Sequence, residues 1–363
     1  MNPLVLLVIS MLATYLLLKL VLVLFPRWGL MDRPEAYGLN RKPIPYSAGI
    51  VVFIVFALCV LFLFPMHAQF LGLILGGTLI ALVSFYDDFF RLPPLVRLFA
   101  QAVGAGIAVL SGLGISTITG PLGGTIELAQ WIIPYTFFGH TGHIAPFADL
   151  FTIAWIVFLM NAINFMDGVP GMVSGTGAIA AFTIAGLSAL LIASPTTTLE
   201  EKQAATAVLQ LSLILGGSLF VFNRFDLTPP RLLIGDSGTM SVGYLLAVLA
   251  IFSGGKVATT MLVLGLPVAD SLWVIGRRII KGQSPFQGDF NHYHHKLLRL
   301  GWSERSIVYA AYGISLLLGI LSLIFLFYFK TFAKTIVLSL FILFLFISSM
   351  LLIKKETKDV KKI

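Results

Sequence analysis

The chain has 363 residues, 58% of them hydrophobic and only 11% charged, and carries a formal net charge of +8. A composition this apolar excludes a soluble globular enzyme, and the positive charge suits anionic lipid headgroups or a phosphorylated substrate, with no pattern that suggests nucleic acid. The single cysteine, Cys59, rules out an intramolecular disulfide and sits inside an apolar run, as a buried residue would.

Apolar stretches of about 20 residues recur along the chain, the length an α-helix needs to cross the hydrocarbon core, while the alternating segments of a membrane barrel are absent. The first, Leu4 to Phe25, lacks a basic leader region and an A-x-A-like cleavage site, so it reads as a retained span rather than a signal peptide. In order, spans are expected near 4–25, 47–64, 70–86, 95–113, 148–165, 172–194, 203–222, 238–253, 257–276, 306–328 and 332–353. The fold class is therefore an all-α polytopic integral membrane protein with about 11 transmembrane helices. Residues 1–353 are expected to form a single transmembrane domain and 354–363 a basic cytoplasmic tail. Most of the 24 Lys and Arg residues fall in one alternate set of loops, and the longest loop of the other set, 114–147, has none. The positive-inside rule then puts the N-terminus outside and the C-terminus in the cytoplasm, in a cell membrane.

On that topology the acidic, amide and histidine groups gather at the cytoplasmic face. Asp87 and Asp88 close the third span in ALVSFYDDFFRLPP, and Asn161, Asn164 and Asp167 end the fifth in NAINFMDGVPG. Asp236 opens the eighth in LLIGDSGT, while Asp289, His292, His294 and His295 lie in GDFNHYHHKLL, part of the last large inner loop. Each cluster alone has an ordinary explanation: solvated charges at a helix end, a small-residue helix contact at Gly171 and Gly175, an N-cap at Asp236 or Ser237, surface histidines. Those explanations leave the joint placement unaccounted for. Oxygen donors converging on one face suit Mg²⁺, which takes one or two carboxylates plus phosphate oxygens; zinc fits poorly, there being no thiolate pair. Spans six and eight both begin at this face, so their N-termini, with Gly168, Gly171, Gly235 and Gly238, are expected to direct positive dipole ends at a phosphate.

Five motifs in order, DRPEAYGLNRKPIPYSAG, FYDDFFRLPPLVRLFAQ, NAINFMDG, NRFDLTPPRLLIGDSGTMSVG and SPFQGDFNHYHHKLLRLGWSERSIV, cover residues from about 30 to 305. Together they resemble the polyprenyl-phosphate N-acetylhexosamine-1-phosphate transferases (glycosyltransferase family 4), the superfamily that includes phospho-N-acetylmuramoyl-pentapeptide transferase. The H-x-HH loop and the basic tail look more like the N-acetylglucosamine-1-phosphate branch. The resemblance implies that a UDP-N-acetylhexosamine gives its sugar-1-phosphate to a polyprenyl phosphate, undecaprenyl phosphate for instance, leaving UMP, with Mg²⁺ or alternatively Mn²⁺ as cofactor. It also implies Asn164 and Asp236 as metal ligands and Asp87, Asp88, Asp167 and His292 as catalytic groups. Substrate contacts are carried over to Lys42, Arg97, Asn161, Arg278, Asp289, His294 and His295. Membrane lipids are the remaining partner, and a homodimer is compatible with the pattern. Alternatives are the muramoyl-pentapeptide branch and, from another class, an ion-coupled transporter, which would place polar groups near the bilayer midplane and show an internal repeat. Two departures stand out. The family's D-G-x-D-G reads DGVPG, with Pro170 in place of a carboxylate that in relatives helps contact the nucleotide base, and R-K-x-H-x-x-P is shortened to RKPIPYSAG.

Overall fold

A computed structural model describes residues 1–37, 40–119, 124–137, 140–252, 261–283 and 292–328. Asp289, the expected last span and the basic tail lie outside the described residues. The helices are α1 (Pro3–Trp28), α2 (Ile50–Leu63), α3 (Ala68–Phe90), α4 (Pro94–Leu110), α5 (Pro146–Phe165), α6 (Met172–Ala193), α7 (Leu199–Asp226), α8 (Gly235–Phe252), α9 (Gly265–Ile280), α10 (Tyr293–Arg299) and α11 (Glu304–Tyr328). Among the described residues, seven of these (α1, α3, α5, α6, α7, α8 and α11) are long and apolar enough to cross a membrane, and α2 and α4 are shorter apolar helices. The chain is a helical multi-pass membrane protein.

Local chemistry sets the helix ends. The Asn2 side chain accepts the Leu4 N–H at the start of α1, and Gly29, at φ 72°, turns the chain out of it in the left-handed conformation that glycine tolerates. A capping box of Thr198 and Glu201 opens α7. Two boundaries matter for function: α3 runs on past the expected end to Phe90, so Asp87 and Asp88 sit in its last turn, and α8 begins at Gly235.

The core is organised around α8, whose residues from Ser237 to Ile251 are all buried. A helix enclosed on every side needs small residues where neighbours press closest, and GDSGTMSVGYLLAVLAIF supplies them. A Cβ on Gly243 would lie 2.6 Å from the Met160 Cα of α5, so no larger residue fits between these backbones. On the other side the Tyr244 hydroxyl donates to the Leu73 carbonyl of α3 at 3.0 Å. Cys59 is buried in α2, as its apolar setting suggested.

Segment 114–147 corrects the purely helical reading. Strand β1 (Thr117–Thr119) pairs antiparallel with β2 (Thr125–Glu127), and β3 (Ile133–Phe137) with β4 (His140–Ile144), in registers Thr117↔Glu127 and Ile133↔Ile144. The Thr- and Ile-rich runs favour extended backbone, and pairing satisfies peptide groups that no helix accommodates. Both hairpins join α4 to α5 at the end of the bundle opposite Asp87, Asn164 and Asp236.

Candidate active site

The site forms where the last turn of α3 meets the first turn of α8. Asp88 Oδ1 accepts the Asp236 N–H at 2.8 Å, and its Oδ2 accepts the Ser237 N–H at 3.1 Å and the Ser47 hydroxyl at 2.5 Å. Asp88 is thus the N-cap of α8, supplied from another helix, and it satisfies donors that no turn of α8 can reach. Gly235 makes this possible: at φ 68° its Cβ would stand 2.7 Å from the Ser47 Cα and 2.9 Å from Asp88 Oδ2. Backbone bonds strap the segment after α1 across the same point, from Leu233 N–H to Pro45 O, Ala48 N–H to Leu233 O and Gly49 N–H to Ile234 O.

With the helix start fixed, Asp236 turns its carboxylate toward α5 and α4. Its Oδ1 accepts the Asn164 amide at 3.0 Å; its Oδ2 lies 3.5 Å from Arg97 Nη1, which is 3.1 Å from Asp87 Oδ2. One half-exposed guanidinium therefore bridges two carboxylates. Asp87 Oδ1 accepts the Leu92 N–H, holding the turn between α3 and α4. The Asn164 amide nitrogen also donates to Thr239 Oγ1 at 2.8 Å, which leaves its Oδ1 as the atom available to a ligand. The carboxyl of Asp167, in the turn after α5, makes no hydrogen bond among the described residues. Desolvation, reinforced by the charges of Asp226, Asp236 and Asp88, holds it well above the ordinary carboxylate range. A small cleft opens at this cluster, lined by the polar Asp87, Arg97, Asp236 and Gln101 and by the apolar Ile80, Val83, Ala100 and Met240.

The α6 start is built the same way. Gly171, at φ 90°, donates its N–H to Asp226 Oδ2 at 3.0 Å, and Ser174 Oγ donates to the same atom at 2.7 Å. Asn223 and Tyr312 both donate to the Gly171 carbonyl, at 3.1 and 2.6 Å. This corrects the expectation that the α6 and α8 N-termini lie open to phosphate: protein carboxylates already take their first N–H groups. The DGVPG turn, which lacks a second carboxylate of its own, has the buried Asp226 beside it instead.

The histidine segment docks against the same turn. His292 Nδ1 is 2.8 Å from Asp270 Oδ2, and its ring centroid is 5.3 Å from that of Phe165 at the end of α5. The His294 imidazole lies against Gly168, where a Cβ would overlap it, and burial, with His295 beside it, pushes its pKa down to about 3. His294 is therefore a neutral group at working pH.

The structure brings together Asp87, Asp88, Arg97, Asn164, Asp167 and Asp236, and sets His292 and His294 against the Asp167 turn. The other expected residues are placed around this cluster, with His295 against the His294 ring at a centroid distance of 4.1 Å. Asn161 donates its amide to Gln101 Oε1 at 2.7 Å and to the Val157 carbonyl at 2.8 Å, inside the bundle. Lys42 is exposed and its carbonyl accepts from Arg41, itself paired with Asp32. Arg278 is buried in the last turn of α9, and His295 is half-buried in α10. Ser47, Gln101, Asp226 and Asp270 were not among the expected residues. Asp270 carried a readable signal, as an ionisable residue within an apolar run; a serine like Ser47 carries none.

Among proteins of known designation, the chain is 26% identical over 358 residues (96% of this chain, 90% of the other) to the "Probable undecaprenyl-phosphate N-acetylglucosaminyl 1-phosphate transferase" of Bacillus subtilis. It is 27% identical over 327 residues (82% and 76%) to the "Decaprenyl-phosphate N-acetylglucosaminephosphotransferase" of Mycolicibacterium smegmatis. It is 26% identical over 286 residues (76% and 71%) to the "Undecaprenyl-phosphate alpha-N-acetylglucosaminyl 1-phosphate transferase" of Escherichia coli K12. The family model for glycosyl transferase family 4 matches residues 70–254, the stretch from α3 to α8 that holds Asp87, Asn164, Asp167 and Asp236. The chain is a member of glycosyl transferase family 4.

Proposed function

We propose that the protein transfers N-acetylglucosamine-1-phosphate from a UDP-sugar to a polyprenyl phosphate, giving polyprenyl-diphospho-sugar and UMP, the priming step of a cell-envelope glycan. The observation that carries this reading is the cleft at the α3–α4–α8 junction. Its lining joins the apolar Ile80, Val83, Ala100 and Met240 to Arg97 and the carboxylates of Asp87 and Asp236, as an amphipathic phosphate requires.

The donor set suits a hard divalent cation. Carboxylates of Asp87 and Asp236 flank the Arg97 guanidinium, the Asn164 amide is hydrogen-bonded to Asp236, and the Asp167 carboxyl in the next turn makes no hydrogen bond among the described residues. Among the described residues no three His, Cys, Asp or Glu side chains surround one point. That is compatible with Mg²⁺, which takes few protein ligands and fills its shell with phosphate oxygens and water. Asp236 and Asn164 would hold it, and when bound it supplies neutralisation of the diphosphate charge.

In the reaction, an oxygen of the lipid phosphate attacks the sugar-bearing β-phosphorus of the donor. A phosphorus–oxygen bond to the lipid phosphate forms, and the bond from that phosphorus to the bridging oxygen breaks, so UMP leaves. Arg97 binds the lipid phosphate and offsets repulsion between two anions. Asp87, which faces Arg97, takes the proton of a singly ionised lipid phosphate. Asp88 acts one step back, by fixing the α8 start that aims Asp236. The face bearing these groups is cytoplasmic, with the N-terminus outside, in the cell membrane. The reading is tested with purified protein, polyprenyl phosphate, Mg²⁺ and a panel of UDP-sugars. UMP release with UDP-N-acetylglucosamine supports it, and release only with UDP-N-acetylmuramoyl-pentapeptide moves the chain to the other branch.

A further inference from the structure

The last helix before the histidine segment carries a carboxylate that the mechanism above does not use. Asp270 lies in α9, ten residues before Ile280, which is about 15 Å along the helix from that end. It is buried at 9% exposure, and both of its oxygens are engaged by the same short segment: Oδ2 with His292 Nδ1 at 2.8 Å, Oδ1 with the Tyr293 N–H at 2.9 Å. The start of α10 is therefore pinned to α9, at His292 in the N-cap position and Tyr293 after it. An ionised carboxylate only accepts, so the proton of this bond belongs to His292 Nδ1. That fixes the tautomer, and it leaves Nε2 as the ring atom for a ligand; Nε2 makes no hydrogen bond among the described residues. Phe165 packs on the ring and fixes its plane, one residue from Asn164 of the carboxylate cluster.

We propose that Asp270 is the positioning residue for His292: by accepting from the Nδ1–H and the Tyr293 N–H together, it presents Nε2 to the diphosphate of the donor. This rests on the transferase reading, because His292 has work to do only if a diphosphate reacts beside it. The Asp270→Asn substitution shows what the carboxylate contributes. It offers one acceptor and one donor where two donors must be met, so the new amide either opposes the Tyr293 N–H or donates a hydrogen bond to His292 Nδ1, which then accepts and leaves the ring proton on Nε2.

The test measures kcat and the donor KM for wild type, Asp270→Asn, Asp270→Glu, His292→Gln and the Asp270→Asn/His292→Gln pair, with Tm in detergent for each. Asp270→Asn is expected to lose at least about tenfold in kcat, the lower edge of what a partner that orients a functional histidine contributes, with donor KM within about threefold. In the His292→Gln background the same change should cost less than about twofold, since the residue it acts through is gone. Asp270→Glu, which keeps two acceptors, should recover part of the loss. A multiplicative loss in the pair, or a wild-type kcat for Asp270→Asn, overturns the assignment. If His292→Gln is too slow to measure, a low kcat in Asp270→Asn with Tm within about 3 °C of wild type supports it, and a loss that tracks a larger fall in Tm overturns it. An inactive wild type would instead contradict the transferase reading itself.

Discussion

Asp88→Asn separates a structural carboxylate from the reactive one beside it. In the wild type Asp88 meets three donors with two oxygens: the Asp236 N–H, the Ser237 N–H and the Ser47 hydroxyl. The asparagine has the same shape but only one oxygen. Whichever way the amide sits, its NH₂ group faces one of the two backbone N–H groups, while Ser47 can rotate its hydroxyl to accept. One charge-assisted bond is lost and one buried donor left unpaired, a cost of about 2 to 4 kcal/mol. At about 2 °C per kcal/mol, Tm in detergent should fall by roughly 4 to 8 °C. Asp87→Asn is the comparison. It weakens a contact to the half-exposed Arg97, worth about 1 kcal/mol or less, and keeps an acceptor for the Leu92 N–H, so its Tm should stay near wild type while its turnover collapses. An unchanged Tm for Asp88→Asn, or a larger fall for Asp87→Asn, would refute the capping role assigned to Asp88.

Three further outcomes are expected. Asn164→Ala and Asp236→Asn should abolish UMP release in folded protein, and EDTA should stop the wild type until Mg²⁺ or Mn²⁺ is restored; full activity in EDTA counts against the divalent-cation reading. The folded pKa of His294, about 3, lies below its unfolded value, so the folded state binds fewer protons in acid. Its contribution to stability is complete above about pH 6.5 and is lost as pH falls toward 3, so Tm should drop between about pH 7 and 4.5, and less steeply in His294→Gln. In a Cys59→Ala background, the exposed positions Gln283→Cys and Ser116→Cys should react with an impermeant thiol reagent only from the cytoplasmic and only from the outer side, respectively, and the reverse pattern would invert the topology.

Spans and the convergence of polar motifs were legible because the bilayer imposes a length and a periodicity that apolar runs reveal directly. Asp87, Asn164, Asp167 and Asp236 were legible for a related reason: charge next to an apolar run is costly, so its position is informative. The use each residue makes of its neighbours was not. Asp87 and Asp88 are indistinguishable as a sequence pair, yet one faces Arg97 and the other caps α8 from across the bundle. The same long-range capping hid Asp226, 55 residues from the Gly171 N–H it accepts. Asn161 looked like a substrate contact because it shares a motif with Asn164. One helical turn separates them on the same face, and Asn161, deeper in the bundle, donates to Gln101, which lines the cleft beside the carboxylates, instead of meeting Asp236.

The central claim is that a phosphosugar, not a sugar alone, moves to the lipid. UDP-N-acetylglucosamine labelled with ³²P at the β-phosphate, incubated with the purified protein, polyprenyl phosphate and Mg²⁺, decides it. The expected result is that the label enters the lipid fraction and UMP appears in equal amount, with neither seen for Asp236→Asn. Label retained in water-soluble UDP while the sugar alone reaches the lipid would contradict it.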